Sequence, residues 1–165
     1  MRSISFWVPG IAKTAGSKRG FLNKKTGRVI IVDDCAKSQD WKADVKAFAW
    51  TAMIGQEVML GPLEMICVFM LQRPKGHYRT GANASMLRAG APLYPAVTPD
   101  TTKLVRAAED ALKGIVWKDD AQVVDQLARK RYGDPGVMIT VREKDEERDL
   151  SLEEPIRTDK QLSLF

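Results

Sequence analysis

Histidine and cysteine are scarce: His77 stands alone, and Cys35 and Cys67 are the two thiols in 165 residues. One histidine excludes a multi-histidine zinc site, and two distant cysteines form no metal-ligand spacing. The cysteines read as reduced, packed residues of a cytosolic protein. No apolar run is long enough to span a bilayer, because 58–71 is interrupted by Gly61, Pro62 and Glu64. The N-terminal residues lack the apolar core of a secretion signal, and there is no internal repeat. Membrane, secreted and solenoid classes therefore drop out, and a cytoplasmic location is expected.

Hydrophobic residues make up 44% of the chain, which is ordinary for one globular domain. The formal net charge is +5, unevenly placed. Residues 143–160 carry eight acids against four bases, a local charge of −4, which leaves +9 on residues 1–142. A basic body followed by an acidic tail points to a polyanionic partner such as nucleic acid.

In chain order, 3–8 reads as a first strand ended by Pro9 and Gly10. The polar loop 13–19 contains Lys18 and Arg19. Phe21-Leu22 and 29–32 flank Asn-Lys-Lys-Thr-Gly, a hairpin signal. Lys18, Arg19, Lys24, Lys25 and Arg28 could grip phosphates there, or simply be solvated. Ser38 is a helix-cap candidate, and Trp41, Val45, Phe48 and Ala52 recur at helical spacing, giving a core-facing helix to about Gln56. Residues 63–71 read as a buried strand, with Ile66, Val68 and Met70 on one face. The irregular stretch 73–97 holds Arg73, Lys75, His77, Tyr78, Arg79 and Arg88; loops of that length are commonly functional or disordered. A backbone-contacting DNA loop is expected, with Lys75 and Arg79 among its cations. His77 as a catalytic base is the weaker alternative to a passive loop residue.

The chain is organised around 98–125. Thr101 or Thr102 can cap a helix, and Asp100 lies at its positive end. Leu104, Ala108, Ala111 and Leu112 give the helix an apolar face, while Lys103, Arg106, Asp110 and Lys113 share another. Gly114 fits the left-handed stop. Ile115, Val116 and Trp117 read as a short strand leading to Asp119 and Asp120. If the connection turns back, these aspartates approach Asp100, and converging carboxylates suit a hard divalent cation that can activate water. The bland alternative is a capping aspartate and a turn pair. Residues 122–132 then form a strand that becomes basic at Arg129, Lys130 and Arg131. A turn at Gly133-Asp134-Pro135-Gly136 leads to a final strand, 137–141, antiparallel to it. The expected fold is α+β: a single domain with a mixed sheet and two main helices, in the order β-β-β-α-β-loop-α-β-β.

The run Pro99-Asp100, Lys103-Leu104, Asp110-Ala111-Leu112 and Trp117-Lys118-Asp119-Asp120-Ala121-Gln122-Val123-Val124 resembles the RusA family of Holliday junction resolvases. The resemblance spans 1–142, strongest in the centre. It implies a RusA-like fold, a homodimer of bacterial or phage type, and magnesium-dependent cutting of four-way DNA junctions in recombination or repair; manganese could replace magnesium. The family's metal aspartates fall on Asp100 and Asp120, with Asp119 beside the latter, and a third falls on Thr102. A family lysine falls on Arg106, assigned with Asp100 and Asp120 to catalysis. Lys103 and Arg106 would steady phosphates. At Thr102 three outcomes stay open: one carboxylate fewer, compensation by Asp110 or Asp119, or weakened cleavage.

Residues 143–165 read as a charged tether. It ends in Gln161-Leu162-Ser163-Leu164-Phe165, which resembles the bacterial sliding-clamp-binding motif residue for residue. That resemblance implies polar contacts from Gln161 and an apolar pocket for Leu162, Leu164 and Phe165. Tethering would raise the local concentration of the body at DNA carrying the clamp. Two rival readings stand beside the nuclease: a junction-binding protein that has lost cleavage and is recruited by the clamp, and an adaptor acting mainly through its tail.

Overall fold

Leu63, Met65, Cys67 and Phe69 alternate with Glu64, Ile66, Val68 and Met70, a period of two that turns each set to one face of a strand. In the computed structural model the first set is fully buried and the second half-buried. The core face is therefore the one opposite Ile66, Val68 and Met70. The structure describes residues 2–15, 18–23, 25–33 and 36–144, and places only the backbone of 18–21, 29–33 and 36–38.

The elements are β1 (Ser3–Pro9), β2 (Lys18–Leu22), β3 (Val29–Asp33), α1 (Ala36–Ala52), β4 (Leu63–Leu71), α2 (Thr101–Leu112), β5 (Val123–Tyr132) and β6 (Gly136–Glu143). Short 3-10 turns lie at Lys75–His77, Gly81–Asn83 and Asp120–Gln122. This is the expected order of strands and helices, and the fold is α+β with a mixed four-stranded sheet. β2 and β3 form a separate antiparallel hairpin.

The main sheet runs β1-β6-β4-β5. β4 and β5 are parallel, joined by a crossover through α2, and the other pairs are antiparallel. Here the sequence expectation needs correction: β6 does not pair with β5 but inserts between β1 and β4. Composition gives the reason. β6 contributes the fully buried Val137, Ile139 and Val141 and needs neighbours on both sides, whereas β5 carries Asp125, Gln126, Arg129, Lys130 and Arg131 and suits an edge. The turn after β5 crosses the end of β4, where the Gly133 N–H donates to the Leu71 carbonyl at 3.0 Å.

α1 packs on β1 and on α2, and α2 packs on β5, so the helices lie side by side on the sheet. α1 starts at Ala36, before Ser38. Its buried stripe is Trp41, Val45 and Ala49, continued by Met53 just past its end, and Phe48 is exposed rather than core. A repeat of four drifts round a helix of 3.6 residues per turn, which leaves Phe48 on the margin. Cys67 is a buried free thiol whose pKa burial pushes up to about 12, with Glu109 nearby adding to it. Cys35 lies outside the described residues.

Candidate active site

Six residues of α2 are buried: Leu104, Val105, Ala107, Ala108, Ala111 and Leu112. That broad apolar face fixes the rotation of the helix on the sheet. Asp100, not Thr101 or Thr102, occupies the cap position. Its carbonyl accepts from the Leu104 N–H at 3.1 Å, its side chain makes no capping bond, and its carboxylate pairs with Lys103 at 3.3 Å. Gly114, at φ 79°, takes the left-handed stop. Ile115, Val116 and Trp117 are buried but form a turn instead of the expected strand, with the Gly114 N–H donating to the Trp117 carbonyl at 2.7 Å.

The following Asp-Asp turn is held from three sides. The indole N–H of the fully buried Trp117 donates to Asp120 Oδ1 at 3.0 Å, and Lys113 Nζ donates to Asp120 Oδ2 at 3.3 Å. Asp119 Oδ1 accepts from the Ala121 N–H at 3.0 Å and so caps the turn. Gln122 Oε1 accepts from the Lys118 and Asp119 N–H groups, both at 2.9 Å. Its Nε2 reaches back to the carbonyls of Met59 at 2.9 Å and Gly61 at 3.3 Å. The Ala121 bond, then Lys113, hold the Asp119 carboxyl below its ordinary range; the bond to Asp120 raises Lys113.

A pocket of about 440 Å³ opens between α2 and β5, lined by Thr101, Thr102, Arg106, Glu109, Asp110 and Asp120 with Val105, Gln126 and Ala128. Glu109 accepts from Gln126 Nε2 at 2.7 Å, and Asp110 from Lys42 Nζ of α1 at 2.7 Å. Burial, then Asp120, then Asp110 push the Glu109 carboxyl above its ordinary value, partly offset by the Gln126 bond and Arg106. Of the residues singled out in the sequence, the pocket gathers Thr101, Thr102, Arg106, Asp110 and Asp120; Asp100, Lys103 and Asp119 do not line it. Among the described residues, no three His, Cys, Asp or Glu side chains are grouped to hold a metal ion as they stand. Each pocket carboxylate is tied to a neighbour of its own. The donor set itself, three carboxylates and two threonine hydroxyls with no thiol or imidazole, is of the kind a hard divalent cation takes.

The family model of the endodeoxyribonuclease RusA matches residues 12–142, which contain the whole pocket. The chain belongs to the RusA endodeoxyribonuclease family. It is also 31% identical over 144 residues to the uncharacterized protein YqaN of Bacillus subtilis (strain 168), covering 87% of this chain and 98% of that one.

Around this RusA pocket, several cations have structural partners. Lys130 Nζ donates to the carbonyls of Val97 at 2.7 Å and Pro99 at 3.0 Å, anchoring the chain just before Asp100. Arg73 lies 4.1 Å over the Tyr132 ring and donates to the Pro92 carbonyl at 2.8 Å, and Arg88 donates to the Tyr78 carbonyl at 2.8 Å. The irregular stretch is thus stitched by its own arginines. Lys75 lines a second pocket, of about 390 Å³, with Arg73, Tyr78 and Tyr132, and Arg79 is exposed. His77 packs edge-on against Tyr132 at 5.5 Å, its Nδ1 buried without a hydrogen-bond partner, and does not line the α2 pocket. Lys18 and Arg19 are placed by backbone only, on β2, and the terminal Gln161, Leu162, Leu164 and Phe165 lie outside the described residues. No described helix is long and apolar enough to cross a membrane.

Sequence reasoning passed over Glu109 and Gln126, and it quoted Gln122 in the motif without giving it a role. Spacing could have found Glu109, since 102, 106 and 109 share one helical face.

Proposed function

We propose that this RusA-family chain is a metal-dependent endonuclease that cuts four-way DNA junctions, with its reacting centre in the pocket between α2 and β5. One observation carries the reading: Asp120, fixed by the buried Trp117 and by Lys113, faces Thr102, Arg106 and Glu109 across one pocket. Asp120 is the principal cation ligand; the resemblance adds Asp100, and Asp119 beside Asp120 is a further candidate, both standing outside the lining of the pocket. Magnesium, or manganese in its place, would supply activated water and charge neutralisation at the leaving oxygen. Arg106 and Lys103 hold the scissile phosphate, and Lys75, Arg79, Lys18 and Arg19 hold neighbouring backbone phosphates. Paired cuts across a junction call for two such centres, hence a homodimer. Residues 1–142 form the nuclease body; the remaining tail recruits it to the sliding clamp through Gln161, Leu162, Leu164 and Phe165. The protein acts in the cytoplasm, on branched DNA in recombination or repair.

The test is cleavage of a labelled synthetic four-way junction with magnesium and with manganese, parent and Asp120→Asn side by side. Paired symmetric cuts by the parent, reduced at least about a hundredfold in the variant, are expected. Tight junction binding without cuts in either metal would overturn the nuclease reading and favour the clamp-recruited binding protein.

A further inference from the structure

We infer that Glu109 is a cation ligand of this pocket, supplying from α2 the carboxylate that Thr102 does not. The inference rests on the reading of the pocket as the nuclease centre. Thr102, Arg106 and Glu109 lie on one face of α2 and line the same pocket as Asp120. Thr102 offers that space a neutral hydroxyl, a weak ligand for a hard divalent ion. Two turns further along, the chain places a glutamate on the helix edge between its buried face and solvent. Helical side chains lean toward the N-terminus, so Glu109 reaches back toward Arg106 and the middle of the pocket.

Asp110 and Asp120 pair with Lys42 and Lys113, whereas Glu109 has no ion-pair partner among the described residues and is held by the neutral Gln126. Glu109 is half-buried, Asp110 and Asp120 line the same space, and Arg106 is the one cation lining it among the described residues. Its bond from Gln126 uses one of about four acceptor sites of a carboxylate. Gln126 stands on β5 and orients the group, as an outer hydrogen bond commonly orients a ligating carboxylate. Asp110 is a weaker candidate, because Lys42 already neutralises it across the α1–α2 contact.

Glu109→Gln separates ligand from structural roles, since the amide retains an oxygen that can accept from Gln126 and loses only the charge. Manganese affinity of the full-length parent, Glu109→Gln, Thr102→Asp/Glu109→Gln and Asp120→Asn is measured by isothermal titration calorimetry, with junction cleavage in parallel. The expected result is a loss of manganese affinity of about tenfold or more in Glu109→Gln, an unchanged melting transition at the pH where Glu109 is protonated, and recovery of affinity in the double variant. Parent-like affinity in Glu109→Gln, with affinity lost in Asp120→Asn, overturns the role of Glu109 and leaves the pocket reading standing. Parent-like affinity in both variants, or no binding by the parent, overturns the pocket as cation site and this inference with it.

Discussion

Gln122 shows how much of the Asp-Asp turn depends on one neutral side chain. It accepts two backbone bonds within the turn and donates two to the loop before β4. Gln122→Ala leaves those amides and carbonyls unpaired at a half-buried position and should lower stability by about 2–3 kcal/mol, read from urea unfolding. Trp117→Phe keeps most of the buried volume and removes only the indole donor to Asp120. A loss of about 1–2 kcal/mol is expected, with a larger fall in cleavage than in junction affinity, because the carboxylate is freed while the cations are untouched. Glu109 gives a pH signature. Its folded-state pKa is raised above 4.5, so the folded protein binds its proton more readily than the unfolded chain, and stability from this group falls as pH rises through that shifted value. Glu109→Gln should therefore melt above the parent at pH 7, and the difference should vanish as pH drops below 4.5; thermal melts across pH 4–8 check it.

At the scale of elements, α2 and the Asp-Asp turn were legible because their signals are local. Apolar spacing, a glycine stop and a turn pair each act within a few residues. The pairing of β6 was not legible, because strand order is settled by contacts between residues far apart. The clue lay in contrast: apolar Val137, Ile139 and Val141 against the charged 129–131 of β5. The pocket was half legible. Asp120 and Arg106 came from the motif, whereas Glu109 stands on an amphipathic helix at the margin of its apolar face, where it reads as solvated surface. The insertion of β6 also explains a glycine. A Cβ on Gly136 would collide with the Trp7 ring, since Gly136 pairs with both Pro9 and Met70. Gly136→Ala should cost about 1–3 kcal/mol, and Trp7→Ala in the same chain should recover part of it, a coupling that a double-mutant cycle of melting data would reveal.

For the whole molecule, the +9 body and the −4 segment after it set up opposing tendencies at one polyanion. If the body grips backbone phosphates, the logarithm of junction affinity should fall linearly with the logarithm of salt. Lys75→Ala with Arg79→Ala should reduce that slope by about 1 for each phosphate the variant no longer neutralises. Ending the chain at Lys144 keeps all of β6 with its register to β1 and β4. The truncated protein should melt with the parent and cut free junctions equally well, while losing any affinity for a purified sliding clamp.

The central place of β6 has a consequence for biosynthesis. Among the described strands β1 has one neighbour, and that neighbour is the last of them to be made. During translation the first strand must therefore wait, unpaired, through the synthesis of almost the whole body, and β4 waits with one side open. The nascent chain exposes two sticky edges until the ribosome delivers residues 136–143. A premature stop before that point yields a chain that contains every pocket residue and still has no way to complete its sheet.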